Sequence, residues 1–261
     1  DGSARSTLSI LKNQGSVPFG HFRLNNTLTK TPLPPQDNSV SQDHCAPVVG
    51  LVGGIGSGKS ALASWVSHHA PIEVLDGDLL GHHALKDPTL ARLVLDRFPQ
   101  ARSSDDTNSA NSDHQISRPA LAGIVFGDDP ESLSARSDLE TIVHPFIRRR
   151  LQDLIHEHRG RSDCEGILVD AAVLLEAGWH DQCDHVVFVD VPEALRLSRV
   201  TETRDWTRTD YLARQSSQWP PERKQDAADT SLDNSGSLED SGPHLLSLVH
   251  SLRGKTSASC P

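Results

Sequence analysis

The stretch that decides the fold is GGIGSGKS at positions 53–60, which follows the apolar run VVGLV at 48–52 and precedes the amphipathic segment ALASWVSHH at 61–69. It matches the pattern G-x-x-x-x-G-K-[ST] at every fixed position. Glycines let consecutive backbone N–H groups turn inward around a phosphate chain, because no Cβ blocks the close approach or a positive φ angle. The order of strand, loop and helix predicts a phosphate-binding loop for a nucleoside triphosphate.

The last two residues of this loop carry the polar chemistry. Lys59 is expected to place its ammonium group on the β- and γ-phosphates, and Ser60 to offer its hydroxyl to Mg²⁺. The helix that begins there adds the positive end of its dipole. The residues expected to hold the nucleotide phosphates are Gly54, Ile55, Gly56, Ser57, Gly58, Lys59, Ser60 and Ala61.

Composition excludes several classes of protein. Hydrophobic residues make up 36% of the 261, which is enough to bury a core, and the formal net charge of −10 argues against a surface that binds nucleic acid. A local basic run, Arg148–Arg150, fits a solvated helix face as well as an anion site. No apolar run approaches the roughly 20 residues that cross a bilayer, and the N-terminus lacks the apolar core of a secretion signal. We therefore expect a cytoplasmic protein without a membrane partner.

The cysteines and histidines do not predict a metal centre. The four cysteines show no C-x-x-C pair, so we expect reduced, structural thiols, and the histidines cluster at adjacent or i, i+2 spacing, which splays their side chains on a helix. Mg²⁺ on the nucleotide is the only metal expected. The chain contains no methionine, so we expect a processed product or a fragment.

Short apolar runs bounded by turn signals predict a parallel sheet with helices on both faces. The predicted strands are Val48–Val52, Ile72–Leu75, Gly166–Val169, Val186–Val189 and Thr230–Leu232. Nearly ninety residues separate the second strand from the third, too many for one crossover, so we expect a helical subdomain there. Pro145 is expected to kink or split its second helix. Residues 1–46 are predicted to be a disordered leader, 103–113 a polar surface loop, and 255–261 a loose tail.

Acidic residues follow the predicted strands. Asp76 and Asp78 follow the second, Asp170 ends the third and Asp190 ends the fourth, and ligands of open parallel sheets bind at these carboxyl ends. Asp78 fits two roles equally well, a base that activates an acceptor hydroxyl and the N-cap of the next helix.

Residues 192–224 are rich in arginine, as a lid over a transferred phosphoryl group would be. The arginines are Arg196, Arg199, Arg204, Arg208, Arg214 and Arg223. An exposed, arginine-rich helix pair would have the same spacing. The absence of N-K-x-D argues against a GTPase, and the loop and lid together favour a small kinase.

From about Val48 to Leu252 the chain resembles the dephospho-CoA kinase family, a group of P-loop kinases. The resemblance lies in six motifs that occur in the family's order. They are LVGGIGSGKS at 51–60, DGD at 76–78, LETIVHP at 139–145, AVLLE at 172–176, the pair Arg199 and Arg204-Asp205, and a closing set of Gln218, Ala228-Asp229 and Asn234-Ser235-Gly236. Each motif beyond the loop is weak alone, but six in order are specific.

The resemblance implies transfer of the γ-phosphoryl group of ATP to the ribose 3′-hydroxyl of dephospho-coenzyme A, the final step of coenzyme A synthesis, with Mg²⁺. The sequence does not determine the oligomeric state, and we expect a monomer. It implies a core of residues 47–78, 165–191 and 229–254, an acceptor-binding helical part at 79–164 and a lid at 192–228. Asp78 becomes the acceptor-activating carboxylate, Arg199 and Arg204 become lid arginines near the transferred group, and Asn234 is expected to touch the adenine. Asp170 is expected to support Mg²⁺ beside Ser60.

Three positions depart from the family pattern. Ala172 replaces a proline, Gly77 replaces the middle alanine of D-A-D, and His82 stands where an arginine is often found. We expect these changes to alter acceptor affinity rather than catalysis. His144 keeps its family position and is expected to pack its helix or cap it. A nucleoside or nucleotide kinase, and an idle ATP-binding module, are the alternative functions.

Overall fold

The computed structural model describes residues 45–103, 115–127 and 129–253. Five strands form one sheet in the order β2-β3-β1-β4-β5, and every neighbouring pair is parallel. The strands are β1 (Val48–Val52), β2 (Ile72–Asp76), β3 (Gly166–Asp170), β4 (His185–Asp190) and β5 (Thr230–Asp233). The predicted strands are confirmed, and four of them extend one residue further to an aspartate.

The helices of the described residues fall into three groups along the chain. Helix α1 (Lys59–His69) follows the phosphate loop. Between β2 and β3 lie α2 (Gly77–Ala84), α3 (Pro88–Arg97), α4 (Arg118–Val125) and α5 (Pro130–Arg159). After β4 come α6 (Glu193–Arg204), α7 (Arg208–Gln215) and α8 (Pro221–Asp226), and α9 (Leu238–Leu252) closes the fold.

Alternate residues of the central strands are buried in two separate cores. In β3, Ile167 and Val169 join the core that includes the helices between β2 and β3, whereas Leu168 joins the core formed with α1 and α9. Successive side chains of a strand point to opposite faces, so both faces of this sheet are covered. The predicted α/β class, three layers with helices on both faces, is confirmed.

The predicted helical subdomain lies between β2 and β3. Its long helix, α5, runs through Pro145 without a break for 30 residues, so the expectation that this proline splits the helix is wrong. His144 sits mid-helix with its ring edge-on to Trp179, the ring centroids 5.4 Å apart, and burial lowers its pKa to about 4. The packing role expected for this histidine therefore agrees with its surroundings, and the capping role does not.

Several expectations fall on residues outside the described ranges. They concern most of the leader, the polar loop and the tail. The last two residues of the predicted leader, Cys45 and Ala46, are buried. Cys164 and Cys183 are free thiols, but Cys45 is disulfide-bonded, so the expectation of four reduced thiols is wrong. Within the described ranges, each helix is either too short or too polar to cross a bilayer.

Gly77 opens α2 in very close contact with the strand beside it. A Cβ at this position would lie 2.6 Å from the Cβ of Ala171, a separation that real Cβ atoms do not tolerate. We expect Gly77→Ala to destabilise the fold by about 1–3 kcal/mol, because one of two packed backbones must move. Urea denaturation of the purified variant measures this.

The matched control is Gly123→Ala in α4, where a Cβ would meet no atom within 4 Å. That variant is expected to gain up to about 1 kcal/mol, since alanine favours a helix over glycine. Equal effects of the two substitutions would contradict the close-contact argument.

Candidate active site

The phosphate loop is held in its turn by left-handed backbone. Gly58 has φ 83° and serves as the N-cap of α1, and a Cβ there would lie 2.7 Å from the Asn234 side-chain amide. Only glycine meets both constraints, the conformation and the space. Gly54 lies against the guanidinium of Arg196, a buried side chain that also donates to the Val191 carbonyl. The conformation of the loop therefore depends both on its own glycines and on the packing of Arg196 against it.

Asn234, which follows β5, fastens the loop to the edge of the sheet. Its amide Nδ2 donates to the Ser57 carbonyl at 2.8 Å, and its Oδ1 accepts from the Ser241 hydroxyl at 2.6 Å. The side chain is 2% exposed, so both of its polar atoms are occupied inside the protein. In this structure Asn234 holds the loop, and its contact with adenine stays a prediction.

Lys59 and Ser60 face the carboxylate at the end of β3. The Ser60 hydroxyl is hydrogen-bonded to Asp170, and burial raises the pKa of that carboxyl, with Lys59 opposing the rise. Burial lowers the pKa of Lys59, and the charges of Asp170 and Asp78 act in the other direction. The Lys59 ammonium is 3.5 Å from the Gly53 carbonyl. One buried cation thus lies among carboxylates at the sheet edge.

Asp76 and Asp78 have separate tasks. The Asp76 carboxylate accepts from the Leu79 N–H at 2.8 Å, so Asp76 caps α2 and Asp78 does not. The Asp78 carboxylate instead lines the carboxylate-rich edge of the site with Ala172, whose backbone N–H lowers the pKa of Asp78. Burial, together with the charges of Asp76 and Asp170, raises the pKa of Asp78 to about 7. A carboxylate of that pKa, beside a cavity, can accept a proton near neutral pH.

The arginines of the predicted lid divide into three kinds. Arg199 donates to the carbonyls of Asn234 and Gly236, at 2.9 and 3.4 Å, so it braces the loop after β5. Arg204 and Arg214 lie over the ring of Trp206, with guanidinium carbons 5.0 and 4.0 Å from its centroid.

The other arginines do not act together with these. Arg196 is buried, Arg223 stacks on Trp219 at 3.4 Å, and Arg208 is exposed. Arginines of one short segment therefore have different surroundings in the fold.

Two cavities meet at the phosphate loop. The first, which we call the carboxylate cavity, has a volume of about 300 Å³. The second, the phosphate-loop cavity, has a volume of about 390 Å³. Gly56, Lys59, Ser60 and Arg204 line both. Two molecules bound in these cavities would meet at Lys59.

The other predicted site residues line one cavity each, except Gly54, which lines neither. Ile55, Asp78 and Asp170 line the carboxylate cavity alone. Ser57, Gly58, Ala61, Arg199 and Asn234 line the phosphate-loop cavity alone.

Sequence reasoning missed several residues of the carboxylate cavity and of its wall. Trp206 lines this cavity between Arg204 and Arg214, and no motif pointed to it. Lys224 is 1% exposed and forms an ion pair with Glu176 at 2.9 Å. Burial lowers the pKa of Lys224 to about 8, and Glu176 opposes the shift. Its position among the arginines of 192–224 was the available signal, but spacing alone suggested an exposed side chain.

Comparison with known proteins agrees with this geometry. The sequence model of the dephospho-CoA kinase family matches residues 47–240. The dephospho-CoA kinase of Corynebacterium jeikeium is 35% identical over 193 residues, which is 73% of this chain and 92% of that protein. The dephospho-CoA kinase of Thermus thermophilus is 34% identical over 209 residues, 79% of this chain and 92% of that protein.

Solved structures give the same result. The crystal structure of TT1252 from Thermus thermophilus superposes with a TM-score of 0.63 at 31% identity, covering 80% of this chain and 98% of that one. A dephospho-CoA kinase from Campylobacter jejuni shares the fold at 19% identity, with a TM-score of 0.51 over 79% of this chain and 97% of that one. From the family match and these identities over most of its length, the chain belongs to the dephospho-CoA kinase family.

Proposed function

We propose that this protein transfers the γ-phosphoryl group of ATP to the ribose 3′-hydroxyl of dephospho-coenzyme A, giving coenzyme A and ADP. Use of ATP follows from membership of a kinase family. The observation that carries the proposal is the meeting of two cavities at Gly56, Lys59, Ser60 and Arg204. One cavity would hold the nucleotide and the other the acceptor, with the transferred group between them.

The acceptor hydroxyl would lie at Asp78. Its carboxylate, with a pKa of about 7, takes the proton that the 3′-hydroxyl loses as its oxygen attacks the γ-phosphorus. Leu79, which is 48% exposed, and Trp206 offer apolar surface at the same cavity. Asp78 is thus the proposed acceptor-activating residue, and the exposed leucine an acceptor contact.

The transferred group would be surrounded by positive charge. Lys59 would contact the β- and γ-phosphates, and both Lys59 and Arg204 line the two cavities. The Nη1 of Arg199 lies 3.6 Å from where a Cβ of Gly58 would be, so this arginine borders the phosphate loop. Catalysis here is mainly positioning and neutralisation of charge, which phosphoryl transfer requires.

The residues present fit Mg²⁺. Ser60 supplies a hydroxyl oxygen and Asp170 a carboxylate hydrogen-bonded to it, the hard oxygen donors that Mg²⁺ prefers. Among the described residues there is no cluster of three metal-ligating side chains. That agrees with an ion held by one or two protein oxygens together with phosphates. Mg²⁺ would supply charge neutralisation on the phosphate oxygens.

The acceptor test is ADP release with Mg-ATP. The acceptors compared are dephospho-coenzyme A, AMP, CMP, deoxynucleosides, pantothenate and none. We expect selective turnover with dephospho-coenzyme A and a product phosphorylated at the 3′-hydroxyl. Turnover with a nucleoside or nucleotide instead would contradict the proposed acceptor, and ATP binding without turnover would favour an idle module. The monomeric state and the cytoplasmic location stay predictions from sequence.

Asn234 is proposed to act on ATP through the loop that it holds. We expect Asn234→Ala to raise the KM for ATP about tenfold, because the loss leaves the Ser57 carbonyl and the Ser241 hydroxyl without their partner, at a cost of about 1–3 kcal/mol. Steady-state kinetics with varied ATP measures this. A rise confined to the KM for the acceptor would contradict the role.

A further inference from the structure

Lys224 is buried and does not line the carboxylate cavity, but it contacts residues that do. Its ammonium is 2.9 Å from the Glu176 Oε1, 2.8 Å from the Ala172 carbonyl oxygen and 3.2 Å from the Gln218 Oε1. An ammonium group has three protons, and each finds an acceptor here. Two of the three partners, Ala172 and Gln218, line the cavity.

The ion pair joins two segments that are distant in sequence, residues 172–176 and residues 218–224. Ala172 and Glu176 follow β3, Gln218 and Trp219 precede α8, and Lys224 lies in α8. Glu176 Oε1 also accepts from the Trp219 N–H at 2.9 Å, so this one oxygen ties the end of the lid segment to the sheet. The pair is buried, with side-chain exposures of 1% for Lys224 and 2% for Glu176.

A buried ion pair of this kind contributes little net free energy to the stability of the fold. Removing two charges from water offsets much of their attraction, and a well-packed apolar pair often serves stability equally well. An apolar pair donates no hydrogen bonds, so it cannot fix the orientation of the Ala172 carbonyl and the Gln218 amide. Ala172 also lines the cavity that Asp78 lines, and its backbone N–H favours the ionised form of the Asp78 carboxylate, which lowers the pKa.

We propose that Lys224 is a positioning residue, and that its ion pair with Glu176 holds Ala172 in the wall of the carboxylate cavity, where Ala172 orients the Asp78 side chain toward the acceptor. The identity of the acceptor in this inference rests on the proposed function, whereas the hydrogen-bond network around Lys224 does not. Lys224 does not touch substrate. Its effect on turnover passes through Ala172 to Asp78.

The first test is a double-mutant cycle. We expect Lys224→Met to lower kcat about 100-fold, since a small misplacement of a reacting group has that effect. The KM for ATP should change less than about threefold. In the Asp78→Asn background the same substitution should lower kcat less than about threefold further, because residues that act as a unit are not additive. Full multiplication of the two losses would overturn the proposal.

Stability is separated from positioning by an apolar pair, Lys224→Met with Glu176→Leu. This double variant removes the unpaired buried charge that a single substitution leaves, so its melting temperature should lie nearer the wild-type value. We expect its kcat to stay about 100-fold low. Wild-type kcat in this variant would show that the pair is only structural. Lys86→Met, at an exposed lysine outside both cavities, is the matched control.

A readout without substrate distinguishes failure of the network from failure of the proposed function. The Ala172 amide should exchange with deuterium at least about tenfold faster in the apolar double variant and in Asp78→Asn than in the wild type or Lys86→Met. Unchanged exchange would overturn the network whatever the acceptor is. Faster exchange in a protein inactive on dephospho-coenzyme A would keep the network and reject the acceptor.

Discussion

Replacing Lys59 by methionine is expected to lower kcat about 1,000-fold. Lys59 is the cation shared by the two cavities, and removal of one preorganised group that stabilises developing charge typically has an effect of this size. Methionine keeps the length and much of the volume of the side chain, so the loop should stay packed. The measurement is kcat at saturating ATP and dephospho-coenzyme A.

Two controls accompany the measurement on Lys59→Met. Lys86→Met removes the same group from an exposed position, and its kcat should equal the wild-type value. The Lys59→Met protein should unfold cooperatively, and the pKa of Asp170 should rise further, because Lys59 now holds it down. A kcat within tenfold of the wild type would contradict the role of Lys59.

Asp78→Asn is expected to lower kcat by about 100- to 10,000-fold, the range for loss of a general base. In the wild type, kcat/KM for the acceptor should rise with pH through about 7 and then level, because only the ionised carboxylate accepts the proton. Asparagine cannot ionise, so the residual activity of the variant should lack this rise. If kcat/KM of the variant still rises with the same midpoint pH, the titrating group is a residue other than Asp78.

The same substitution should stabilise the protein at alkaline pH. A carboxyl whose pKa is raised in the fold, from 3.8 to about 7, binds its proton more tightly when folded. Stability is therefore lost as the pH rises from about 4 to about 7 and stays lower above that. The Asp78→Asn variant has no such loss, so its melting temperature without nucleotide should exceed the wild-type value at pH 8 and match it at pH 4. A less stable variant at pH 8 would contradict the buried position of Asp78.

The roles of Asp76 and Asp78 mark a limit of local pattern. Either aspartate could cap a helix that starts near Gly77, and the sequence left both roles open for Asp78. The capping residue depends on where β2 ends and α2 begins. Asp76 has an extended backbone and Leu79 donates to it, which leaves Asp78 free of the capping role and places it beside Ala172 in the carboxylate cavity. Ala172 is 94 residues further on, so no local signal could reveal that contact.

In the arginine-rich segment, the local sequence likewise does not show which side chains are buried. Arg196, Arg204 and Lys224 carry the same charge in one arginine-rich segment, yet one packs on Gly54, one lines both cavities and one is buried against Glu176. Exposure of a side chain is set by what other segments bring against it. The sequence therefore predicted a lid without showing which of its cations face the cavities.

What the sequence determined by itself is the local part: the phosphate loop, the five strands, and the aspartates at the ends of β2, β3 and β4. These depend on spacing within a few residues, where glycine geometry and apolar periodicity act directly. The tertiary structure alone decided which groups meet: Asn234 with the loop, Asp170 with Ser60, and Lys224 with Ala172 behind Asp78. Such contacts join residues far apart in the chain, and only the packing of the sheet against its helices brings them within hydrogen-bonding distance.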